Sequence, residues 1–261
     1  MIIVSFNIRG GGNALKRRRI STILKKGDAD IVLIQETKLS NTEEFMVKGM
    51  WSGTEVGYSF SNSVGLSGGI LSLWRTDRVE VLCSFKGEGY VGIKVCWKDN
   101  FYYVVNVYSS CLLFKKKELW NNLLNEKAIL SDGEWIIGGD FNATKNYSER
   151  KGRIEREVGN GTDLFTKFIH EIDLVDIPCK GKKFTWYSGN GLAMSRIDRF
   201  LVSEVVVDRW VLVGQLVGER DISDHCPVWL VKDNINWGPK PFKFNDEWFS
   251  LNSFLPFVEK E

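Results

Sequence analysis

The sequence predicts a single α/β domain built on two stacked β-sheets. Short apolar runs rich in β-branched residues recur along most of the 261-residue chain, and amphipathic helical segments lie between some of them. Four such runs follow one another within residues 69–109, separated only by turn signals, which favours antiparallel neighbours. Many strands with few interspersed helices are typical of an α/β fold in which two sheets pack face to face.

The individual elements are predicted from the period of their apolar residues. Residues 2–8 alternate around an apolar centre and residues 30–36 form a β-branched run, so both are predicted strands. Residues 14–26 repeat apolar side chains at helical spacing, which predicts a helix. The other predicted strands are residues 69–74, 79–85, 90–97, 101–109, 134–140, 184–188, 196–202, 211–217 and 226–231. The other predicted helices are residues 115–130, residues 162–172 with Thr162 as N-cap, and a short turn at residues 203–209.

A change in composition near residue 233 predicts the end of the folded unit. Residues 234–261 hold three of the five prolines and show little periodicity, which predicts a C-terminal extension. Aromatic residues in this extension indicate that it docks on another surface. We therefore expect a domain over residues 1–233 and an extension over residues 234–261.

The composition is that of a globular protein. Hydrophobic residues make up 43% and charged residues 26% of the chain, which excludes a wholly disordered or collagen-like protein. The net charge is only +2, so a nucleic-acid partner would need a local basic patch. No apolar run approaches the ~20 residues that cross a bilayer, which predicts no membrane association. Five dispersed cysteines and an N-terminus without a signal-peptide leader predict a nuclear or cytoplasmic protein that is not secreted.

Side chains that can bind a metal ion or transfer a proton stand at the ends of several predicted strands. Taken singly, each is more simply explained as a turn or capping residue. Taken together they indicate a site, because strand ends at one edge of a sheet core can converge on one cleft. These residues are Asn7, Glu36, Tyr108, Asp140, Asn142, Asp198, Ser223, Asp224 and His225.

These residue types fit phosphoryl transfer. Glu36 offers a carboxylate to a hard divalent ion such as Mg²⁺, and Asp140 can position or deprotonate a water molecule. His225, held by Asp198, can stabilise a charged transition state. Histidines and cysteines are too few and too scattered for a zinc hydrolase. The uncharged side chains that can donate to phosphate oxygens are Asn7, Asn142 and Tyr108.

Six ordered motifs carry a family resemblance: SFNIRG, IQETK, NVYSS, GGDFN, SRIDRF and SDHCPV. Over about residues 1–233 the chain resembles the endonuclease/exonuclease/phosphatase superfamily, whose fold is DNase I-like. The motifs QETKL, FTW and RIDRFLVS resemble more narrowly the endonuclease domain of LINE-type non-LTR retrotransposons, particularly plant ones. The segment PFKFNDEWF is similar to the part of such elements that leads toward the reverse transcriptase.

The resemblance implies a four-layer α/β sandwich, with two central mixed β-sheets flanked by helices. It implies a Mg²⁺-dependent endonuclease, in which Mn²⁺ can replace Mg²⁺, that cleaves a phosphodiester of double-stranded DNA and leaves a 3′-OH nick. A reverse transcriptase domain in a longer parent protein is an implied partner. The nuclease itself is expected to be a monomer.

The resemblance also implies a role for each motif residue. Glu36 would be the metal ligand, with Asn7 beside it and Asp224 in the same network. Asp140 would activate the water, which Asn142 would help to orient. Asp198 and His225 would form a dyad, and either Asp140 or His225 would be the general base. The implied phosphate contacts are Tyr108, Thr185 and Ser223.

Basic residues near these motifs are predicted to contact the DNA backbone. Lys115 follows the NVYSS motif closely, although solvation of a helix surface explains it equally well. Arg150 follows GGDFN in a charged segment that we expect to face DNA. Two other functions stay open. One is a phosphomonoesterase or phosphodiesterase of the same superfamily, and the other is a non-catalytic remnant of a retrotransposon reading frame, a hypothesis based on the end of the chain at Glu261.

Overall fold

The computed structural model describes residues 1–41, 44–51, 55–64, 67–152 and 158–232 of the chain. The predicted extension over residues 234–261 lies outside the described residues. The helices are α1 (Ala14–Lys26), α2 (Glu44–Met50), α3 (Leu113–Ile129), α4 (Val158–Glu171) and α5 (Glu204–Trp210), with a 3₁₀ turn at Tyr147–Glu149. None of the helices in these ranges is both long and apolar enough to cross a membrane.

The strands form two large sheets and one small sheet. They are β1 (Ile3–Asn7), β2 (Ile31–Gln35), β3 (Val56–Val64), β4 (Ser67–Arg75), β5 (Glu80–Gly87), β6 (Tyr90–Trp97), β7 (Asn100–Tyr108), β8 (Glu134–Asp140), β9 (Arg150–Lys151), β10 (Val175–Asp176), β11 (Cys179–Lys180), β12 (Trp186–Tyr187), β13 (Met194–Ser195), β14 (Asp198–Val202), β15 (Leu212–Val217) and β16 (Val228–Lys232). The strand order is β11-β15-β16-β1-β2-β4-β3 in the first sheet, β10-β14-β8-β7-β6-β5 in the second and β12-β13-β9 in the small sheet.

Alternating side chains on the strands build a four-layer sandwich. Ile3 and Leu33 of the first sheet pack against Val104 and Ile136 of the second, in the central core between the sheets. The outer face of the first sheet packs on α1 and α2, and the outer face of the second packs on α3 and α4. This arrangement confirms the predicted α/β sandwich of two stacked mixed sheets flanked by helices.

Most predicted elements match the structure, and two predictions are wrong. Within residues 69–109 the first two strands, β4 and β5, are not antiparallel neighbours. Strand β4 pairs with β2 and β3, whereas β5 pairs with β6 in the other sheet. The connection through Arg75–Val79 therefore crosses between sheets. Thr162 is not an N-cap, because α4 already begins at Val158. Helix α2 and strand β3 were not predicted.

Strand direction brings the predicted site residues to one edge of the sandwich. Parallel β1 and β2 end together at Asn7 and Gln35, and parallel β7 and β8 end together at Tyr108 and Asp140. Strand β14 runs antiparallel to β8, so its first residue, Asp198, lies opposite Asp140. The segment that enters β16 arrives at the same edge, because β16 is antiparallel to β1.

Candidate active site

Asn7 joins the two central carboxylates. It is fully buried at the end of β1, and its Nδ2 donates to Glu36 Oε1 at 3.1 Å and to Asp140 Oδ2 at 2.9 Å. Its Oδ1 accepts from the backbone amide of Arg9 at 3.1 Å. Asn7 therefore presents its nitrogen to the cluster. In this geometry it orients both carboxylates, and its oxygen is engaged elsewhere.

Glu36 stays ionised although it is buried. Burial opposes its charge, but the hydrogen bond from Asn7 and the charge of Arg9 lower the pKa of Glu36 below its usual value. The Glu36 backbone has φ +49°, in the left-handed region, where the chain turns out of β2. This turn directs a carboxylate to the edge where Asp140 ends β8.

Asp140 is buried, and both of its carboxylate oxygens accept hydrogen bonds. Its Oδ1 accepts the backbone amide of Asn142 at 2.9 Å, and Asn142 Nδ2 donates to Ser109 O at 2.7 Å. Asn142 thus closes the turn after β8, with φ +48°. Burial raises the pKa of Asp140 to about 7, with a further contribution from the charge of Asp198.

His225 and Asp198 form the predicted pair. Both are buried, and His225 Nδ1 lies 3.0 Å from each carboxylate oxygen of Asp198. Burial opposes the imidazolium, but the charge and hydrogen bond of Asp198, together with the charges of Asp140 and Asp224, outweigh it and raise the pKa of His225 to about 9. The other ring nitrogen, Nε2, lies 4.0 Å from Asp140 Oδ2. That separation is too long for a direct hydrogen bond and is compatible with a bridging water.

Thr185 and Ser223 lie behind the dyad. Thr185 is fully buried, and its Oγ1 accepts from the backbone amides of Ile197 at 3.1 Å and Asp198 at 3.0 Å. Ser223 is buried too, and its Oγ accepts from the backbone amide of His225 at 3.2 Å. Both hydroxyls therefore hold the backbone of dyad residues. Ser223 Oγ also donates to Asp224 Oδ1 at 3.4 Å. The phosphate contacts of Thr185 and Ser223 stay predictions.

Asp224 is clamped by two residues that the sequence did not single out for the site. Trp186 Nε1 donates to Asp224 Oδ2 at 2.9 Å, and Arg9 Nε lies 3.0 Å from Asp224 Oδ1. Trp186 is half-buried, and the short strand that carries it makes a bridge to His225. Arg9 has a signal in the sequence, since it follows Asn7 in the first motif.

The remaining predicted residues divide into those at the site and those beside it. The hydroxyl of Tyr108 is half-buried, and burial together with the charges of Glu36 and Asp140 raises its pKa. Lys115 is exposed and pairs with Glu88 at 2.9 Å, away from the carboxylates. Its neighbour Lys116 reaches the site loop instead, donating to Asn142 O at 2.6 Å. Arg150 is half-buried in β9, and the structure shows it no contact with the site residues.

The cluster fits a divalent cation. Glu36, Asp140 and His225 each place a ligand atom within 4.8 Å of the others, and all three side chains are buried. Carboxylate oxygens are the ligands that Mg²⁺ prefers, and Mg²⁺ needs few of them because it keeps several waters. Glu36 and Asp140 would offer their carboxylate oxygens to such an ion.

The chain is similar to nucleases of known sequence and structure. An exodeoxyribonuclease of Bacillus subtilis (strain 168) is 23% identical over 255 residues, which cover 88% of this chain and 99% of that protein. The endonuclease domain of TRAS1, a telomere-specific non-LTR retrotransposon, has a TM-score of 0.66 and 17% identity, with 87% of this chain and 95% of that chain covered.

Two further solved structures share the fold. An AP endonuclease from Archaeoglobus fulgidus has a TM-score of 0.69 and 19% identity, over 89% of this chain and 99% of that one. A 3′-5′ exonuclease from Neisseria meningitidis has a TM-score of 0.69 and 18% identity, and the match covers 89% of this chain and 100% of that one. The model of the endonuclease/exonuclease/phosphatase family matches residues 4–225. Because that match spans most of the chain, the protein belongs to the endonuclease/exonuclease/phosphatase family, whose members are hydrolases of phosphoester bonds.

Proposed function

We propose that this protein is a Mg²⁺-dependent endonuclease that nicks double-stranded DNA and leaves a 3′-OH end. The observation that carries the proposal is the 4.0 Å gap between Asp140 Oδ2 and His225 Nε2, beside a buried Glu36. A water or a phosphate oxygen beside this pair could lie within hydrogen-bond distance of both atoms, and both groups can accept or donate a proton.

The chemistry follows from the charges around that gap. Water attacks phosphorus, the bond from phosphorus to the 3′ oxygen breaks, and that oxygen takes up a proton. Asp140, with its raised pKa, takes the proton of the attacking water. His225, kept cationic by Asp198, stabilises the charge on the phosphate oxygens. Glu36 would hold a Mg²⁺ ion, which would supply further charge neutralisation, and we expect that Mn²⁺ can replace it.

The biological setting is part of the proposal. The named relatives support DNA as substrate, because one solved neighbour, a Neisseria 3′ phosphatase, is bound to a product DNA hairpin. We infer that residues 1–233 form the nuclease and that residues 234–261 lead toward a reverse transcriptase in a longer parent protein. The nuclease acts as a monomer in the nucleus or cytoplasm, which agrees with five free cysteines.

Relaxation of supercoiled plasmid tests this proposal. We expect the wild-type protein to produce open circles with Mg²⁺ or Mn²⁺ and none with EDTA. Asp140→Asn and His225→Gln should lose at least about 100-fold in rate, because each removes a group at the reacting centre. His170→Gln, the chain's other histidine, is the matched control and should nick normally. End-labelling should find a 3′-OH. No nicking by folded wild-type protein contradicts the proposal.

A phosphomonoesterase is the second candidate, favoured by the solved Neisseria 3′ phosphatase with a TM-score of 0.70. The same dyad and carboxylates suit attack on a terminal phosphate. An oligonucleotide duplex with a 3′-phosphate at a nick distinguishes the two functions. Release of inorganic phosphate, without cleavage of an intact strand, favours the monoesterase.

A further inference from the structure

We propose that Arg9 is a built-in counter-ion that competes with the metal ion for Glu36 and Asp224. This inference rests on the proposed metal-dependent function and adds a residue that regulates how tightly the site binds its metal. The proposal names Mg²⁺, or Mn²⁺ as its probe, as the cation that Arg9 opposes.

The guanidinium of Arg9 bridges two carboxylates from separate parts of the fold. Its Nη1 lies 3.2 Å from Glu36 Oε1, and its Nε lies 3.0 Å from Asp224 Oδ1. The Glu36 side chain is only 5% exposed, so an unpaired charge there would be costly. Arg9 therefore neutralises the two acids in the form of the protein without metal.

Arg9 and a metal ion would compete because both contact the carboxylate oxygens of Glu36. Glu36 Oε1 already accepts from Asn7 Nδ2 at 3.1 Å and from Arg9 at 3.2 Å. The second oxygen, Oε2, faces Lys38 Nζ at 3.6 Å. A metal ion at Glu36 has to displace a cation from this carboxylate. The Arg9 guanidinium also repels the incoming ion over a few ångströms, where a low local dielectric leaves the repulsion strong.

The backbone of Arg9 is fixed by hydrogen bonds, whereas its side chain is partly exposed. The guanidinium can therefore give way to a metal ion while the backbone stays in place. Its amide is fixed by Asn7 Oδ1 at 3.1 Å, its φ is +51°, and its carbonyl accepts from Lys16 Nζ at 3.4 Å. Its side chain, however, is 45% exposed. The guanidinium can therefore leave Glu36 without rearranging the strand end.

Lys38 provides a matched control. It is 40% exposed, has φ +54° and contacts Glu36, so it resembles Arg9 in exposure, backbone and charge. Its contact is longer, and the structure shows none between Lys38 and Asp224. A general electrostatic effect of any nearby cation would act similarly at both positions. The proposed bridge acts mainly at Arg9.

Mn²⁺ binding without DNA tests the inference, measured by calorimetry and by loss of the free Mn²⁺ spin signal. We expect Arg9→Gln to bind Mn²⁺ about 10-fold more tightly than wild type, and Lys38→Gln at most about 3-fold more tightly. Without metal, Arg9→Gln should also melt at a lower temperature, because two carboxylates lose their partner. Arg9→Lys should lie between Arg9→Gln and wild type.

The outcomes separate this inference from the proposed function. Equal or weaker Mn²⁺ binding by folded Arg9→Gln overturns the role of Arg9 while leaving a metal-binding nuclease intact. Equal gains in Arg9→Gln and Lys38→Gln overturn the bridge in favour of general electrostatics. No Mn²⁺ binding by the wild type, Asp140→Asn and Arg9→Gln alike overturns the metal site itself, and the inference falls with it.

Discussion

The imidazole of His225 faces Asp198 on one side, with Nδ1 3.0 Å from both carboxylate oxygens, and Asp140 on the other, with Nε2 4.0 Å from Oδ2. The close contact fixes the ring and its charge. The longer separation is compatible with one water molecule that contacts both groups from the side. The two acids therefore have different tasks, although their strands place them opposite each other in register.

The first prediction concerns the charge of His225. In metal-free protein its imidazole should titrate near pH 9, and Asp198→Asn should lower its pKa, because burial remains and the charge of Asp198 is lost. NMR of the ring protons measures this directly. The chain has two histidines, and His170→Gln assigns the signals. An unchanged titration in Asp198→Asn would contradict the assignment of Asp198 as partner.

The raised pKa of His225 also makes the stability of the fold depend on pH. Because the folded-state pKa lies above the unfolded value, the imidazolium stabilises the fold below about pH 6.5, and this contribution is lost as the pH rises through about 9. Urea unfolding of the metal-free protein between pH 6 and 10 should show a steeper loss of stability in wild type than in Asp198→Asn.

The second prediction separates two roles for Thr185. Thr185→Val leaves the amides of Ile197 and Asp198 without their acceptor, so it should cost about 1–3 kcal/mol of stability and slow nicking about 10-fold. Thr185→Ser keeps the hydroxyl and should restore both. Denaturant unfolding and plasmid relaxation measure them. If Thr185→Val instead weakens DNA binding at unchanged stability, Thr185 contacts phosphate as the family resemblance implies.

The sequence predicted those features that depend on local pattern, namely the elements with a clear period and the residues at strand ends. Alternation and helical period located β1, α1, β2 and β8. Polar residues at strand ends marked the edge at which Asn7 and Asp140, the last residues of their strands, meet Asp198, the first residue of β14. Parallel strands end at one edge, so this convergence could be inferred without coordinates. The dyad was inferred from residue types, and the structure brings its members together.

Contacts between distant segments were not predictable from local pattern. Arg9 and Trp186 meet at Asp224 only because three segments that are distant in sequence come together at the same edge. Strand β5 joins the second sheet because of the crossover after β4, and no periodicity within a strand records which sheet it enters. The sequence did not single out Lys116, which donates to Asn142 O, although it directly follows Lys115; a one-residue step turns a side chain about 100° around the helix axis.

The third prediction tests the clamp on Asp224. Trp186→Phe keeps an aromatic ring but removes the Nε1 donor, so Asp224 should become mobile and nicking should slow about 3- to 10-fold at nearly unchanged stability. Trp120→Phe is a contrasting control, because the Trp120 Nε1 is buried without a hydrogen-bond partner in the described structure. That change should alter melting and leave activity unaffected. If Trp186→Phe instead lowered the melting temperature and left nicking unaffected, Trp186 would contribute only to packing.

The fourth prediction concerns a buried ion network next to the site. Arg199 is fully buried and pairs with Glu149 at 2.8 Å and Asp176 at 2.9 Å, and Arg196 contacts the same two acids. Arg199→Met should destabilise the fold by about 3–5 kcal/mol, because it leaves two buried carboxylates short of charge. The measurement is denaturant unfolding at neutral pH. In contrast, Glu171→Gln, which breaks the exposed Lys167–Glu171 pair, should change stability by less than about 0.5 kcal/mol.

This network also predicts how the fold responds to acid. Burial opposes the charge of Glu149, but Arg199 outweighs it and lowers the pKa below the usual 4.5. A lowered pKa means that the stabilisation is present above about pH 4.5 and is lost as the pH falls through the folded-state value. In Arg199→Met the acid keeps only Arg196 as a charged partner while burial remains, so unfolding should begin at a higher pH than in wild type. Parallel acid-unfolding curves for the two proteins would show that Glu149 does not depend on Arg199 for its charge.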